Sequence, residues 1–175
     1  GGGVRRYHLE KMNFYRYETD AVYVFVMPDS RTYTEQLTDS LIIEHVKAFK
    51  FPGKWEYRML WKSSQIAPIL KRHKPDIIEV GSPYILPTVV RKNAKKIVPR
   101  AKLLGFWHAD FPITYVERPI AEKFGKKLGK LASQVAFAYA RYEFKGFTGI
   151  QVSAEETRLR LKRKGLPAHH QVPLG

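Results

Sequence analysis

The chain has 175 residues, with 31 lysines and arginines against 16 aspartates and glutamates, which gives a formal net charge of +15. This length is typical of one domain, so we expect residues 1–175 to form a single domain. No apolar run approaches the ~18 residues that cross a bilayer. The absence of cysteine excludes disulfides, thiolate nucleophiles and cysteine-bound zinc, and it suits a reducing compartment such as the cytoplasm.

The positive charge is concentrated in the second half of the chain. Residues 1–87 carry a net charge of +3 and residues 88–175 carry +12. The basic runs are Arg91–Lys102, Lys123–Lys130 and Arg158–Lys164. Such a field attracts lipid head groups, nucleic acid or a phosphorylated substrate, and composition alone does not choose among them. The alternative is a solvated basic face that serves only solubility.

Apolar runs predict the strands. Four buried strands are predicted at Ala21–Met27, Ile77–Val80, Leu103–Trp107 and Ile150–Val152. Leu41–Phe49 is a fifth, more polar candidate that we expect nearer an edge, and His170–Val172 is a short sixth.

Helical patterns alternate with these strands. They cover Val4–Glu18, Glu56–His73, Ser82 to about Lys96, Val116–Phe144, and Ser153 to Gly165. This alternation predicts a Rossmann-like α/β fold with helices on both faces of a parallel sheet. We expect the four apolar strands to be parallel members of that one sheet.

Helix breakers and capping residues refine the helix boundaries. Pro68 should kink or interrupt the second helix. Ser82 is predicted to cap the third helix, and Ser153 with Glu156 is predicted to form a capping box on the last one. Pro119, Gly125 and Gly129 should divide Val116–Phe144 into two pieces.

The first motif is a run of glycines, Gly-Gly-Gly-Val-Arg-Arg-Tyr, at the predicted start of the first helix. Such a run lets backbone N–H groups approach an anion at the positive end of a helix dipole. It lacks the lysine of a P-loop and the full Gly-x-Gly-x-x-Gly spacing. Leading glycines that remain from a tag are the alternative.

The second motif is Gly-Phe-Trp-His-Ala-Asp-Phe-Pro at residues 105–112. It places His108 and Asp110 just past the carboxyl end of a predicted core strand, where open α/β sheets bind ligands. A histidine there can bind a hydroxyl group or transfer a proton near neutral pH. A histidine held by local backbone groups is the alternative. No third ligand accompanies the adjacent pair His169 and His170, so we expect no metal site.

The third motif, Glu79–Tyr84, is a strand end that leads into a helix. Ser82 and Tyr84 are candidate substrate contacts, although helix capping explains Ser82 as well.

In this order, the motifs GGGVRRY, KPDIIEVGSPY, GFWHADFP, GIQVSAEETRLRLKRKG and HHQVPLG resemble the N-terminal half of a GT-B glycosyltransferase of the family 4 type, which is retaining and metal-independent. The resemblance covers essentially the whole chain. It implies the acceptor-binding half of an enzyme whose second domain binds the nucleotide-sugar. We therefore expect a chain that lacks its first strand and its donor-binding domain, and that is inactive alone.

The resemblance also implies roles for particular residues. By position in the family, His108 would line the catalytic cleft, and Gly2 and Gly3 would approach the donor phosphate or the acceptor. Together with the motifs above, we expect His108 and Asp110 to be catalytic, and we expect the substrate-binding residues to be Gly2, Gly3, Arg6, Ser82 and Tyr84. The reaction would transfer a sugar from a nucleotide-sugar to a hydroxyl group of a glycan or a lipid-linked acceptor, with no cofactor and no metal.

Acceptors in this family are often found at the cytoplasmic face of a membrane, so we expect a cytoplasmic protein with peripheral membrane contact. The segment Arg118–Lys130 mixes basic residues with Ile120, Phe124 and Leu128 at helical spacing, as an interfacial helix does. The expected membrane-binding residues are Arg118, Lys123, Lys126, Lys127 and Lys130. The alternative is that Phe124 and Leu128 pack on the sheet.

Two other classes of function fit the sequence less well. A nucleic-acid-binding domain suits the charge and the 10 Phe, 10 Tyr and 3 Trp, but no recognition motif is present and we expect no nucleic-acid partner. A nucleotide-binding oxidoreductase domain is disfavoured by the incomplete glycine pattern.

Overall fold

A computed structural model of the chain describes residues 2–18, 20–50 and 58–172. The chain divides into two compact units, Gly1–Lys74 and Pro75–Pro173. No helix within these described ranges is both long enough and apolar enough to cross a bilayer.

The first unit is built around a three-stranded sheet. Its elements are α1 (Gly2–Glu18), β1 (Tyr23–Asp29), β2 (Tyr33–Thr38), β3 (Leu41–Lys47), β4 (Phe49–Lys50), β5 (Arg58–Met59) and α2 (Ser63–His73). The sheet order is β1-β3-β2, with β1 parallel and β2 antiparallel to β3. The short strands β4 and β5 form a separate antiparallel pair.

Strand β3 is central in this sheet, so the expectation that Leu41–Phe49 lies nearer an edge is wrong. Leu41 and Ile43 pack with Met12 of α1 in a buried cluster. The polar residues Glu44 and His45 are also buried, because side chains of neighbouring elements satisfy them. A polar residue with partners is tolerated in a core, and this tolerance is not visible in a hydropathy pattern.

The predicted strand Ala21–Met27 forms β1, but its placement in one sheet with the other three apolar strands is wrong. Strand β1 pairs with β3 over seven residues, from Tyr23 opposite Leu41 to Asp29 opposite Lys47. The other three predicted strands form a different sheet. An apolar run indicates that a strand is buried but does not specify the strand with which it pairs.

The second unit contains the parallel sheet. Its elements are β6 (Ile77–Val80), α3 (Leu86–Ile97), β7 (Lys102–Trp107), a π-helical segment (Pro112–Glu117), α4 (Arg118–Phe124), α5 (Lys126–Glu143), β8 (Gly149–Val152), α6 (Glu155–Arg163) and β9 (His170–Gln171). The strand order is β6-β7-β8-β9, and every neighbouring pair is parallel. This confirms three of the four apolar strands as parallel neighbours, together with the short strand at His170.

The core of the second unit is formed by the most apolar strands. Phe106 and Trp107 of β7 and Ile150 of β8 are fully buried, and Phe137 of α5 and Leu161 of α6 are buried as well. The mainly apolar strands β7 and β8 are therefore the central strands of the parallel sheet.

Helix starts differ from the predicted caps. Helix α3 begins at Leu86, not after Ser82, and the backbone N–H of Thr88 donates to the buried Glu143 carboxylate at 3.1 Å. Helix α6 begins at Glu155 without a side-chain cap, so the capping box of Ser153 and Glu156 is also wrong. At α3 the distant Glu143 carboxylate replaces the local serine, whereas at α6 Glu156 pairs with Arg160 and caps no N–H group.

The second and fourth predicted helices are shorter than expected or divided. Helix α2 covers only Ser63–His73 of the predicted Glu56–His73 and continues through Pro68. Arg58–Met59 is a strand instead, because it pairs with Phe49–Lys50, and Glu56 lies outside the described residues. The predicted division of Val116–Phe144 is confirmed at Gly125, whose φ of 92° lies in the region that favours glycine.

Gly129 allows α5 to pack closely against the segment before it. A Cβ atom at Gly129 would lie 2.7 Å from both the Ala121 Cβ and the Glu117 carbonyl oxygen. Real side chains do not approach so closely, so the two helical segments would have to separate. Gly129 is therefore required for this contact and does not end the helix, although the sequence suggested a break there.

Gly129→Ala should lower the stability of the chain. Alanine improves helix propensity, but the overpacked contact should cost about 1–3 kcal/mol, which lowers Tm by roughly 3–10 °C. Gly81→Ala is the matched control, because nothing lies within 4 Å of a Cβ built there. Thermal unfolding of both variants measures the difference. An unchanged Tm for Gly129→Ala would show that the helices adjust freely.

Candidate active site

The carboxyl ends of β6, β7 and β8 meet at one edge of the parallel sheet. Ser82 follows β6 by two residues, His108 follows β7 directly, and Ser153 follows β8 directly. Val80 of β6 pairs with Gly105 of β7, so these strand ends are neighbours. Open α/β sheets bind ligands at such an edge. Four of the predicted residues therefore lie at one edge: Ser82, Tyr84, His108 and Asp110.

His108 is half-buried at this edge, and its ring packs against Phe106 with centroids 5.8 Å apart. Burial lowers the pKa of His108 below its usual value of 6.5, although the nearby Phe106 backbone carbonyl partly opposes the shift. The imidazole is therefore neutral at pH 7. Its buried Nδ1 atom has no hydrogen-bond partner among the described residues. Because the side chain is only half-buried, a neutral imidazole at this position can bind a substrate hydroxyl group.

Asp110 is paired with Arg160 of α6. The Asp110 carboxylate accepts a hydrogen bond from the Arg160 guanidinium, which also binds Glu156 at 2.6 Å. Burial raises the pKa of Asp110, while the Arg160 charge opposes that shift. The pair ties the loop after β7 to the helix after β8. Sequence reasoning missed Arg160, and the only signal for it was the i,i+4 spacing of Glu156 and Arg160 on the predicted helix.

Aromatic rings line the edge beside this pair. Phe111 lies 5.3 Å from the Trp107 ring and 5.6 Å from the Tyr84 ring, measured between centroids. Tyr84 is partly exposed, whereas Trp107 and Phe111 are buried. Ser82 is half-buried, and it is not used as the cap of α3. Its hydroxyl group can therefore serve another partner.

The remaining predicted substrate-binding residues belong to the first unit. Helix α1 begins at Gly2, so Gly2 and Gly3 lie in its first turn and Arg6 follows in the next. The first N–H groups of a helix have no intrahelical acceptor and can bind an anion. That these residues contact phosphate or acceptor stays a prediction.

The five predicted membrane-binding residues lie on α4 and the first turns of α5. Arg118, Lys123, Lys126, Lys127 and Lys130 are all exposed. Phe124 is 60% exposed and Leu128 is 46% exposed, so neither is buried against the sheet. Basic and apolar side chains are therefore both accessible on this hairpin.

The family model described as Glycosyltransferase Family 4 matches residues 1–175, which is the whole chain. No curated protein matches the chain.

Proposed function

The chain belongs to glycosyltransferase family 4, and we propose that it is the acceptor-side domain of a retaining enzyme that transfers a sugar from a nucleotide-sugar to a hydroxyl group. The family match supports a transferase domain with an α/β fold. The resemblance of the ordered motifs to the N-terminal half of a GT-B enzyme supports the acceptor role and retention.

The observation that carries this proposal is His108 at the carboxyl edge of the parallel sheet. Its ring is half-buried, and burial lowers its pKa, so the ring is neutral at pH 7. Such a group can accept or donate one hydrogen bond to a sugar or acceptor hydroxyl and so fix its orientation. Positioning of this kind is a large part of group-transfer catalysis.

The other residues at this edge would support His108. The Arg160 guanidinium, held by Asp110 and Glu156, is a cation beside the site, and we propose that Asp110 acts by orienting it. Tyr84 and Ser82 would line the acceptor site. Stabilisation of the departing diphosphate would come from protein N–H groups and basic side chains, including those of a donor-binding domain, without metal.

A turnover assay with radiolabelled nucleotide-sugars tests the proposed roles of the acceptor-side domain and the donor-binding domain. The 175-residue chain alone should transfer no sugar, because the resemblance places most donor contacts on a second domain. The same chain joined to a family 4 donor-binding domain should transfer sugar to a hydroxyl acceptor with retention at the anomeric carbon. Turnover by the chain alone, or inversion in the joined enzyme, contradicts the proposal.

We also propose that the basic face of α4 and α5 brings the domain to an anionic membrane. Each lysine or arginine near such a surface contributes about 1 kcal/mol at low salt, and the attraction falls as salt rises. The exposed residues Lys123, Lys126, Lys127 and Lys130 lie within one short stretch, so their contributions add on one side of the domain.

Replacing these four lysines with glutamine should weaken binding to anionic vesicles by about two to three orders of magnitude at low salt. The matched control replaces four other exposed lysines with glutamine and so removes the same charge. These are Lys92, Lys95, Lys96 and Lys102. Vesicle sedimentation measures both, and the control should lose much less. Equal losses would mean that only net charge matters. No preference for anionic over neutral vesicles would end the membrane proposal.

A further inference from the structure

Two partly exposed tyrosines lie beside the buried Phe111 at the carboxyl edge of the parallel sheet. The Tyr84 ring lies 5.6 Å from the Phe111 ring, measured between centroids, and Tyr84 is 39% exposed. Tyr139 of α5 is 38% exposed, and together with Phe111 it lines a surface groove whose accessible lining is apolar. We call Tyr84, Phe111 and Tyr139 the aromatic edge, and sequence reasoning identified only Tyr84 among them.

Tyr139 presents its ring at this edge, because its hydroxyl group is engaged elsewhere. Burial, the negative charge of Glu143 and a hydrogen bond to the Glu143 carboxylate raise the pKa of Tyr139 to about 12. The buried Glu143 carboxylate also accepts the Thr88 backbone N–H at 3.1 Å, on the helix that follows Tyr84. These two bonds connect Tyr139 to the start of α3 and restrict the motion of its ring.

Hydrogen-bonding groups lie at the same edge of the sheet. His108 is half-buried and its imidazole is neutral at pH 7, and Ser82 is half-buried and does not cap α3. Small-molecule sites commonly combine aromatic walls with a few polar groups of this kind. Such a combination complements a molecule that has both a C–H surface and hydroxyl groups.

The charged groups near this edge are already bonded within the protein. Arg160 binds the carboxylates of Asp110 and Glu156, which together outweigh its positive charge. Arg141, two residues after Tyr139, donates a hydrogen bond to a backbone carbonyl group at the end of α6. These contacts favour an uncharged ligand over one with an anionic head group.

We propose that the aromatic edge binds one pyranose ring of a carbohydrate acceptor, with the C–H face of the sugar against Tyr84 and Tyr139. The hydroxyl groups of the sugar are then directed to His108 and Ser82. The C–H hydrogens of a sugar carry a partial positive charge and the face of an aromatic ring is negative, so the two surfaces attract each other. The assignment of this sugar as acceptor rests on the proposed glycosyltransferase function, and it selects an acceptor with a sugar ring over an alkyl alcohol.

Saturation-transfer NMR on the 175-residue chain tests the proposal without a donor. The probe is methyl β-D-glucopyranoside, whose equatorial hydroxyl groups leave C–H hydrogens on both faces of the ring. Irradiation of the aromatic protons of the protein should transfer magnetisation mainly to the axial C–H hydrogens of the sugar.

Two control ligands define the specificity of the site. Glycerol has hydroxyl groups but no ring face, so it should bind at least about tenfold more weakly than the glucoside. Equal affinity for glycerol overturns the proposal. Complete displacement of the glucoside by a lower concentration of 1-hexanol also overturns it, because a site for alkyl chains would prefer the alcohol.

Variants locate the sugar on the two tyrosines. Tyr84→Leu and Tyr139→Leu should each weaken binding by about two- to twelvefold. Tyr139→Phe keeps the ring and loses only the hydroxyl group, so it should bind the glucoside like wild type. The matched control is Tyr142→Leu, because Tyr142 is 55% exposed on the same helix and does not line the groove.

Thermal unfolding shows whether each variant is folded, and Tyr84→Leu decides the test if Tyr139→Leu does not fold. An equal loss of binding in Tyr142→Leu and in the two variants of the aromatic edge overturns the proposal. Unchanged binding in both Tyr84→Leu and Tyr139→Leu overturns it as well.

This binding assay and the turnover assay fail separately. In the joined enzyme, Tyr139→Leu should raise the KM for a glycoside acceptor with little change in kcat, because the ring holds substrate and transition state alike. Glucoside binding without sugar transfer would contradict the proposed function and leave a sugar-binding site in place. Sugar transfer with a KM that neither tyrosine variant changes would overturn the aromatic-edge proposal alone.

Discussion

Glu44→Ala should lower the free energy of unfolding of the chain by about 2–4 kcal/mol. The Glu44 carboxylate is 3% exposed and accepts hydrogen bonds from Arg72 at 2.8 Å and Thr34 at 2.9 Å, with the His73 Nε2 atom at 2.6 Å. Alanine would remove all three bonds and leave a cavity on the central strand β3. Urea unfolding measures the loss. Glu122→Ala, at an exposed carboxylate of α4, is the control and should change stability little.

The same carboxylate should make the first unit sensitive to acid. Burial alone would raise the pKa of Glu44, but hydrogen bonds from His73 and Thr34 and the Arg72 charge hold it below the usual 4.5. A hydrogen bond from the Ser30 backbone, and then His45, lowers the pKa of Asp29 to about 2. A lowered folded-state pKa means that this stability is present above pH 4.5 and is lost as pH falls through the folded-state pKa.

The difference in stability between wild type and Glu44→Ala should therefore shrink as the pH falls below 4.5. Urea unfolding at several pH values checks this dependence. A difference that stays constant down to pH 2 would show that Glu44 contributes by packing and not by its charge.

Sequence predicted the second unit better than the first, and strand composition explains the difference. Strands β6, β7 and β8 consist mainly of apolar residues, which indicate burial without any knowledge of their partners. Strand β2, Tyr33–Thr38, is polar and almost wholly exposed, so it carries no such signal. It forms because the turn before β3 brings it into antiparallel register with that strand.

Contacts that are distant in sequence account for the other errors. Glu44 is satisfied by side chains ten to twenty-nine residues away, and the α3 start is capped by Glu143, fifty-five residues away. Propensity and capping patterns consider only nearby residues. Ser82 is therefore unused as a cap, because the helix begins later, at Leu86, where the buried Glu143 carboxylate accepts from the Thr88 N–H group.

The candidate site shows the same division between local and distant information. The rule that ligands bind at the carboxyl ends of parallel strands placed His108 and Asp110 correctly at the sheet edge. The partner of Asp110 is Arg160, fifty residues further along the chain. The sequence pattern left open whether Phe124 and Leu128 face a membrane or the sheet, because apolar residues at helical spacing look alike whether they face a core or solvent, and both are exposed.

In an enzyme that joins this chain to a family 4 donor-binding domain, His108→Ala should lower kcat/KM by about 100-fold or more. The imidazole is expected to position a substrate hydroxyl group. Tm should stay nearly unchanged, because His108 is only half-buried and its Nδ1 atom has no hydrogen-bond partner among the described residues to lose. His169→Ala, at an exposed histidine of the same unit, is the control and should keep wild-type turnover.

The pH profile separates a positioning role from a structural one. Burial lowers the pKa of His108, so the neutral ring needed to accept a hydrogen bond is present at pH 7 and is lost only below pH 6.5. Wild-type kcat/KM should therefore fall as the pH drops through that lowered pKa. His108→Gln does not titrate in this range, so its kcat/KM should not show this decrease. If His108→Ala turns over like wild type, or if lost stability alone explains its lost activity, then His108 has no role in positioning the acceptor.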